Sequence, residues 1–178
     1  MIEQFIQGRT SVFVDASNIY HSENSLGFRV DYQKLLFYFQ KAVDLKAIHY
    51  YAARVTTDQG QKMFFDKLDM LGYKVRKKEV KKIRDRETQN IIYKGNFDVE
   101  LTIDAIDTLS QYDNFVLLSG DSDFAELLVY LKSKDKKVIV MSTKEHIAKK
   151  LLNEAKYIDL KKLMNEIKFS HKKYPRYV

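Results

Sequence analysis

The sequence predicts an α/β fold with a mainly parallel central sheet covered by helices on both faces. Three observations carry this. Short apolar runs of strand composition alternate with segments of helical periodicity along almost the whole chain. That alternation implies right-handed crossover units, which place helices over both sides of a parallel sheet. The 178 residues are 45% hydrophobic, enough for one domain with a sizeable core, and a single proline and six glycines exclude a linker-dominated or collagen-like chain.

Ser11-Val12-Phe13-Val14, ending at Asp15, reads as a buried strand. From Asp31, a plausible N-cap, Leu35, Leu36, Phe39 and Val43 recur at helical spacing. Residues 47–53 have strand composition, and Gln59 to Leu71 carries Met63, Phe64, Leu68 and Leu71 on a helical stripe that Gly72 stops. Residues 98–110 are predicted helical, Asn114 to Ser119 a strand, and 122–133 a helix with Phe124, Leu127, Leu128 and Leu131 inward. Val138 to Met141 is another buried strand and 145–154 an amphipathic helix. A short strand at Tyr157-Ile158 and a terminal helix through Leu160, Leu163, Met164 and Ile167 complete the pattern. The expected organisation is one domain over residues 1–169 with a basic tail over 170–178.

Lys+Arg exceeds Asp+Glu by 31 − 24 = 7, so a polyanionic partner is favoured over a basic one. The absence of cysteine excludes disulfides, thiolate zinc sites, iron–sulfur clusters and a cysteine nucleophile. No apolar stretch approaches the roughly 18 residues of a membrane span, and MIEQFIQGRT lacks the order of a secretory signal. A soluble cytoplasmic domain is expected, with no membrane partner; the oligomeric state stays open, a homodimer being one option. Between Tyr73 and Lys94 the pattern reads as a strand pair joined by a charged loop, with eight basic residues from Lys74 to Arg86. Such a run is a solvated face unless a site lies beside it.

Ligands of open α/β sheets bind beyond the carboxyl ends of the strands. Asp15 follows one predicted strand, with Asn18 three residues on; Ser119, Gly120, Asp121, Ser122 and Asp123 follow another; Asp98 opens a helix. Each carboxylate could simply cap a helix. Four of them on one rim would repel one another, however, and clustered oxygen ligands suit Mg²⁺ or Mn²⁺. At about 100° per residue, Asp98 and Glu100 cannot both face one metal. Asp98 is the chosen ligand, Asp104 a supporting residue, and Glu100 and Asp107 solvated.

VFVDASNIY, KGNFDVELTIDAI and FVLLSGDSDFAELL together resemble the NYN domains of the LabA-like family, relatives of the PIN ribonucleases, and VIVMSTKEHIAKKLLNEAKYIDL resembles that family's closing strand–helix–strand. The resemblance covers roughly Ser11 to Leu163. Asp-Ala-Ser-Asn stands where a small Gly-containing turn is common in the family, and two residues separate Gly95 from Asp98 where one is also found. The resemblance implies a PIN-like three-layer α/β/α sandwich and metal-dependent phosphodiester hydrolysis, usually of RNA. By position, it implies Asp15, Asp98, Asp121 and Asp123 as catalytic metal carboxylates, with Asn18 and Ser119 in support.

The expected reaction is in-line attack of water on a backbone phosphorus, aided by Mg²⁺ or Mn²⁺. No histidine lies within the three motifs, so the base is a carboxylate or a hydroxide on the metal. His21 is expected mainly at the surface, His49 packed in its strand, and His146 and His171 exposed. Lys74, Arg76, Lys78, Lys81, Lys82, Arg84 and Lys94 are the candidate nucleic-acid contacts, for RNA in single-stranded form. Tyr20, Phe28, Tyr93 and Phe97 are candidates for base stacking, with Phe28 and Phe97 favoured as core. Two other readings stand beside the nuclease. One is a non-catalytic RNA-binding or assembly module of the same fold. The other is a haloacid-dehalogenase-type phosphatase, disfavoured because Ser17 stands where that family needs a second Asp.

Overall fold

The apolar runs of this chain can be buried only by stacking them side by side and covering both faces. A computed structural model shows this arrangement and describes residues 2–54, 57–79, 81–84, 91–94 and 96–170; the side chains of 81–84 and 91–94 lie outside the described set. The elements are β1 (Arg9–Asp15), α1 (Ala16–Leu26), α2 (Tyr32–Ala42), β2 (Asp44–Arg54), α3 (Gln59–Leu71), β3 (Lys74–Glu79), β4 (Lys81–Arg84), β5 (Ile91–Lys94), α4 (Asp98–Asp107), β6 (Asn114–Leu118), α5 (Ala125–Ser133), β7 (Lys137–Ser142), α6 (Lys149–Glu154), β8 (Lys156–Asp159) and α7 (Met164–Ile167). Six strands form one sheet in the order β3-β2-β1-β6-β7-β8, every pairing parallel. The order reverses direction between β1 and β6, which makes their carboxyl ends the switch point where such sheets bind ligands.

Strand alternation feeds two cores. Val12 and Val14, Val116 and Leu118, and Ile139 and Met141 face the layer of α1, α2, α3 and α7. Phe13, Phe115 and Leu117, and Val138 and Val140 face the layer of α4, α5 and α6. The result is a three-layer α/β/α sandwich. Asp31 caps α2 by accepting from the backbone N–H groups of Gln33 and Lys34, and Gly72 ends α3 in the left-handed region at φ 97°.

Several expected elements differ in detail. Met63 is 71% exposed. The inner face of α3 is set by Phe65 and Leu68, with Gln61 donating from Nε2 to the Ala53 carbonyl at 3.3 Å, which turns Met63 outward. The strand pair is β4 with β5, antiparallel, while β3 joins the main sheet through β2; the loop between β4 and β5 lies outside the described residues. Helix α5 is preceded by a 3₁₀ turn at Ser122–Phe124, and α7 by one at Leu160–Leu163. The helix expected over 145–154 begins only at Lys149, because the backbone N–H groups of His146 and Ile147 both close on the Thr143 carbonyl in a turn.

His49 is packed in its strand as expected, stacked 4.4 Å from Phe13, with its Nε2 buried and without a hydrogen-bond partner among the described residues. Burial, with Lys74 and Arg76 nearby, pushes its pKa down to about 4. The unfolded chain takes up this proton near pH 6.5, the native state only near pH 4. Stability from the neutral ring is therefore complete above about pH 6.5 and is lost as pH falls, by roughly 3 kcal/mol at pH 4. His49→Phe is expected to remove that acid slope in urea unfolding followed from pH 7 to pH 4; an unchanged slope would mean the ring titrates freely.

Candidate metal centre

The chain delivers carboxylates to the switch point by ending strands on residues that cap the next helix or turn. Asp15 ends β1 in extended backbone and N-caps α1, its Oδ1 accepting from the Asn18 N–H at 3.2 Å. Ser119, directly after β6, donates its hydroxyl to Asp15 Oδ2 at 3.0 Å and accepts from the Asp121 N–H at 3.2 Å. Asp121 Oδ1 in turn accepts from the Asp123 N–H at 3.0 Å. Asn18 Oδ1 accepts from the Gly120 N–H at 2.9 Å. Capping and site-building are thus the same hydrogen bonds at Asp15 and Asp121. Asp98 is not an N-cap. It is the first residue of α4, and its Oδ2 accepts from Asn96 Nδ2 at 2.7 Å.

Asp98, Asp121 and Asp123 each offer a carboxylate oxygen within 4.8 Å of the others. Asp15 lies outside that triplet but shares a cleft of about 140 Å³ with Asp98 and Asp121. Burial, reinforced by the charges of Asp121, Asp15 and Asp123, pushes Asp98 up to about pKa 6. Asp15 is also raised by burial, against the opposing pull of its Asn18 and Ser119 hydrogen bonds. A group of hard oxygens that is electrostatically strained when all are ionised is the donor set a divalent cation relieves. The carboxylate cluster therefore suits a divalent metal.

The predicted supporting and basic residues divide into different tasks. Asp104 is buried and is not one of the triplet; it accepts from the hydroxyl of Tyr51, which lines the cleft, at 2.8 Å and from the Arg76 guanidinium. Glu100, expected to be solvated, pairs with Lys78 at 2.7 Å, and this contact holds its carboxyl below the ordinary range. Lys78 also sits 4.5 Å over the Phe97 ring. Arg76 and Lys78 thus fasten α4, and with it Asp98, to β3. Lys74 is exposed; the side chains of Lys81, Lys82, Arg84 and Lys94 lie outside the described residues, as does that of Tyr93. Phe28 and Phe97 are core, and Tyr20 is half-buried. Asp104→Ala is expected to cost about 1–3 kcal/mol by leaving the Tyr51 hydroxyl without its acceptor and Arg76 without its carboxylate, read as a lower urea midpoint; a change below about 0.5 kcal/mol would show the pair to be ornamental.

His21 is at the surface as expected and forms part of the cleft wall one helical turn from Ser17. Sequence reasoning missed two parts of the site. Tyr51 lines the cleft from β2, and no spacing ties it to the acidic motifs. The second part is the segment 143–150. Its Ala148 N–H donates to the Gly120 carbonyl at 3.0 Å, and a Cβ on Gly120 would lie 2.1 Å from the His146 carbonyl oxygen. This close approach sets Lys149 and Lys150, both exposed, at the start of α6 beside the Asp121–Asp123 turn. It is a tertiary contact with no local sequence signature.

The NYN domain model matches residues 9–161, spanning all three acidic motifs. The chain belongs to the NYN family. It is 32% identical over 174 residues to the Low amplitude and bright protein LabA of Synechococcus elongatus, covering 96% of this chain and 94% of that protein. A crystal structure of a Vibrio parahaemolyticus protein of unknown function is also similar, with a TM-score of 0.71 and 25% identity, covering 86% of this chain and 93% of that one. The NYN domain suggests a PIN-like nuclease fold, and the acidic cluster lies within the matched residues. Among the described residues no helix is long and apolar enough to cross a membrane.

Proposed function

We propose that the chain is a divalent-metal-dependent nuclease that hydrolyses phosphodiester bonds, with single-stranded RNA as substrate. The observation that carries this reading is the meeting of Asp98, Asp121 and Asp123, from two separate segments, with Asp98 and Asp121 lining a cleft shared with Asp15 at the sheet's switch point. These carboxylates would hold Mg²⁺ or Mn²⁺. When bound, the cation would neutralise the scissile phosphate and lower the pKa of the attacking water. Ser119 fixes the relative placement of Asp15 and Asp121 by bonding to both. Asn18 holds Gly120, and so the start of the Gly120–Asp123 turn, against α1. Lys149 and Lys150 are exposed at the start of α6, directly after the Ala148 that bonds to Gly120, and would add positive charge on this side of the sheet for an approaching phosphate.

A second reading, an RNA-binding module without turnover, is favoured by one observation. Both oxygens of Asp15 already accept internal hydrogen bonds, which suits a structural role. Incubating labelled single-stranded RNA with the protein in Mg²⁺, Mn²⁺ or chelator separates the two. Metal-dependent chain cleavage supports the nuclease; salt-sensitive binding without products supports the module. Release of phosphate from monoesters with no chain cleavage would instead favour a phosphatase.

A further inference from the structure

The chain carries a second basic surface at the other end of the sheet from the carboxylates. A groove of about 300 Å³ lies at the start of β7 and β8, with Phe5, Ile6, Val138 and Ile139 as its apolar floor. Its rim holds Lys132, Lys136, Lys137 and Lys156 against a single acid, Glu154. Lys132 is paired with Glu154 at 2.9 Å, and Lys136 donates to the Tyr112 carbonyl at 2.8 Å. Lys137 and Lys156 are exposed and make no ion pair among the described residues, and the Lys156 ammonium sits 4.4 Å from the centre of the Phe5 ring. The rim is therefore complementary to an anion, and the floor to a flat apolar group.

The fold connects this groove to the carboxylate site. Helix α6 begins beside Gly120 and ends at Glu154 on the groove rim. Its six residues span only about 9 Å. Its exposed residues between the two ends are Lys149, Lys150, Leu152 and Asn153, with no acid among them. Cations thus stand at both ends of α6, Lys149 and Lys150 on the side of the carboxylate cleft and Lys156 and Lys137 at the groove, with Leu152, Asn153 and the Lys132-paired Glu154 between them. Arg76 and Lys78, by contrast, are engaged by Asp104 and Glu100. A chain of compact ammonium charges next to an aromatic ring suits a single-stranded nucleic acid, whose phosphates follow the charges while an unpaired base lies on the ring.

We infer that the β7–β8 groove is a second contact for a single-stranded nucleic acid that leaves the carboxylate site over α6, with Lys137 and Lys156 on its phosphates and Phe5 against a base. The inference rests on the reading of the site as one that engages nucleic acid. The test measures fluorescence anisotropy of labelled oligouridylates with Asp121→Asn protein, so that strands stay uncut. Lys137→Glu with Lys156→Glu is expected to weaken binding of a strand of about 20 nucleotides at least tenfold and to flatten its log–log salt dependence by about 1.4, while leaving a strand of about 4 nucleotides within twofold. The milder Lys137→Gln with Lys156→Gln should act in the same direction, with the circular-dichroism melt of both variants unchanged. Equal affinity for the long strand before and after charge reversal would overturn the groove assignment and leave the carboxylate reading standing. Absence of binding to either strand by the unreversed protein would overturn both.

Discussion

Asp121→Asn is expected to lower Mg²⁺- or Mn²⁺-dependent cleavage of single-stranded RNA by about 10²- to 10³-fold, the loss of several kcal/mol of charge stabilisation. The same substitution is expected to raise the stability of the metal-free protein, by up to about 1 kcal/mol. The two effects have opposite signs for one reason. Asp121 is the largest charge raising Asp98, after burial, and a cation that rewards this arrangement is absent from the metal-free protein. Asparagine keeps an oxygen that can accept from the Asp123 N–H, so the turn itself is preserved. The pH dependence adds a check. With Asp98 near pKa 6 in the native state and near 4 when unfolded, the native state binds more protons in between, so this group makes stability rise as pH falls through that window. His49 acts in the opposite direction. Asp121→Asn should move the Asp98 titration downward and flatten its contribution, visible as a shifted carboxyl resonance. Cleavage that survives the substitution, or a metal-free protein made less stable by it, would remove Asp121 from the centre.

Gly120→Ala is expected to be the most damaging change that adds no charge. Its methyl group would sit 2.1 Å from the His146 carbonyl oxygen and 2.8 Å from Ser142 Oγ. The first is backbone, held by the turn on Thr143 and by the hydrogen bond between the His146 imidazole and the Ser25 hydroxyl. The chain must therefore separate here, breaking the Ala148–Gly120 hydrogen bond. Overpacking of this kind costs about 1–3 kcal/mol. Activity should fall further than stability, because the Gly120–Asp123 turn and the start of α6 move together. Urea unfolding and cleavage measured on the same preparation test this; a variant as stable and active as the parent would show that the segment 143–148 readily yields.

The strands and their order of burial were legible because Val12, Phe13, Val14 and residues 115–118 are apolar on both faces, and only a covered parallel sheet uses such runs. The acidic residues were legible for a related reason, since each follows directly on a strand or opens a helix. Helix faces were less so. Phe64, Leu68 and Leu71 face the core as their stripe predicts, but Met63 fits that stripe as well as Phe65 does, and a polar residue, Gln61, decided between these two by bonding to Ala53. The roles of Arg76 and Lys78 were not legible at all. Basic residues in a charged run look alike in sequence, and only the packing of β3 beside α4 distinguishes those that hold the helix from those that face solvent.

That packing has a genetic consequence. Along β3, Arg76 and Lys78 reach α4 on one face of the sheet, while Val75 packs into the opposite core and Lys77 reaches Asp69 of α3. Side chains alternate with a period of two, so a one-residue insertion or deletion within the strand exchanges the two faces. A single codon gained or lost there would direct Arg76 and Lys78 toward the helix that carries no part of the acidic cluster, leaving α4 unmoored without altering any carboxylate. In-frame length changes in this edge strand should therefore be as poorly tolerated as substitutions at the acidic residues themselves.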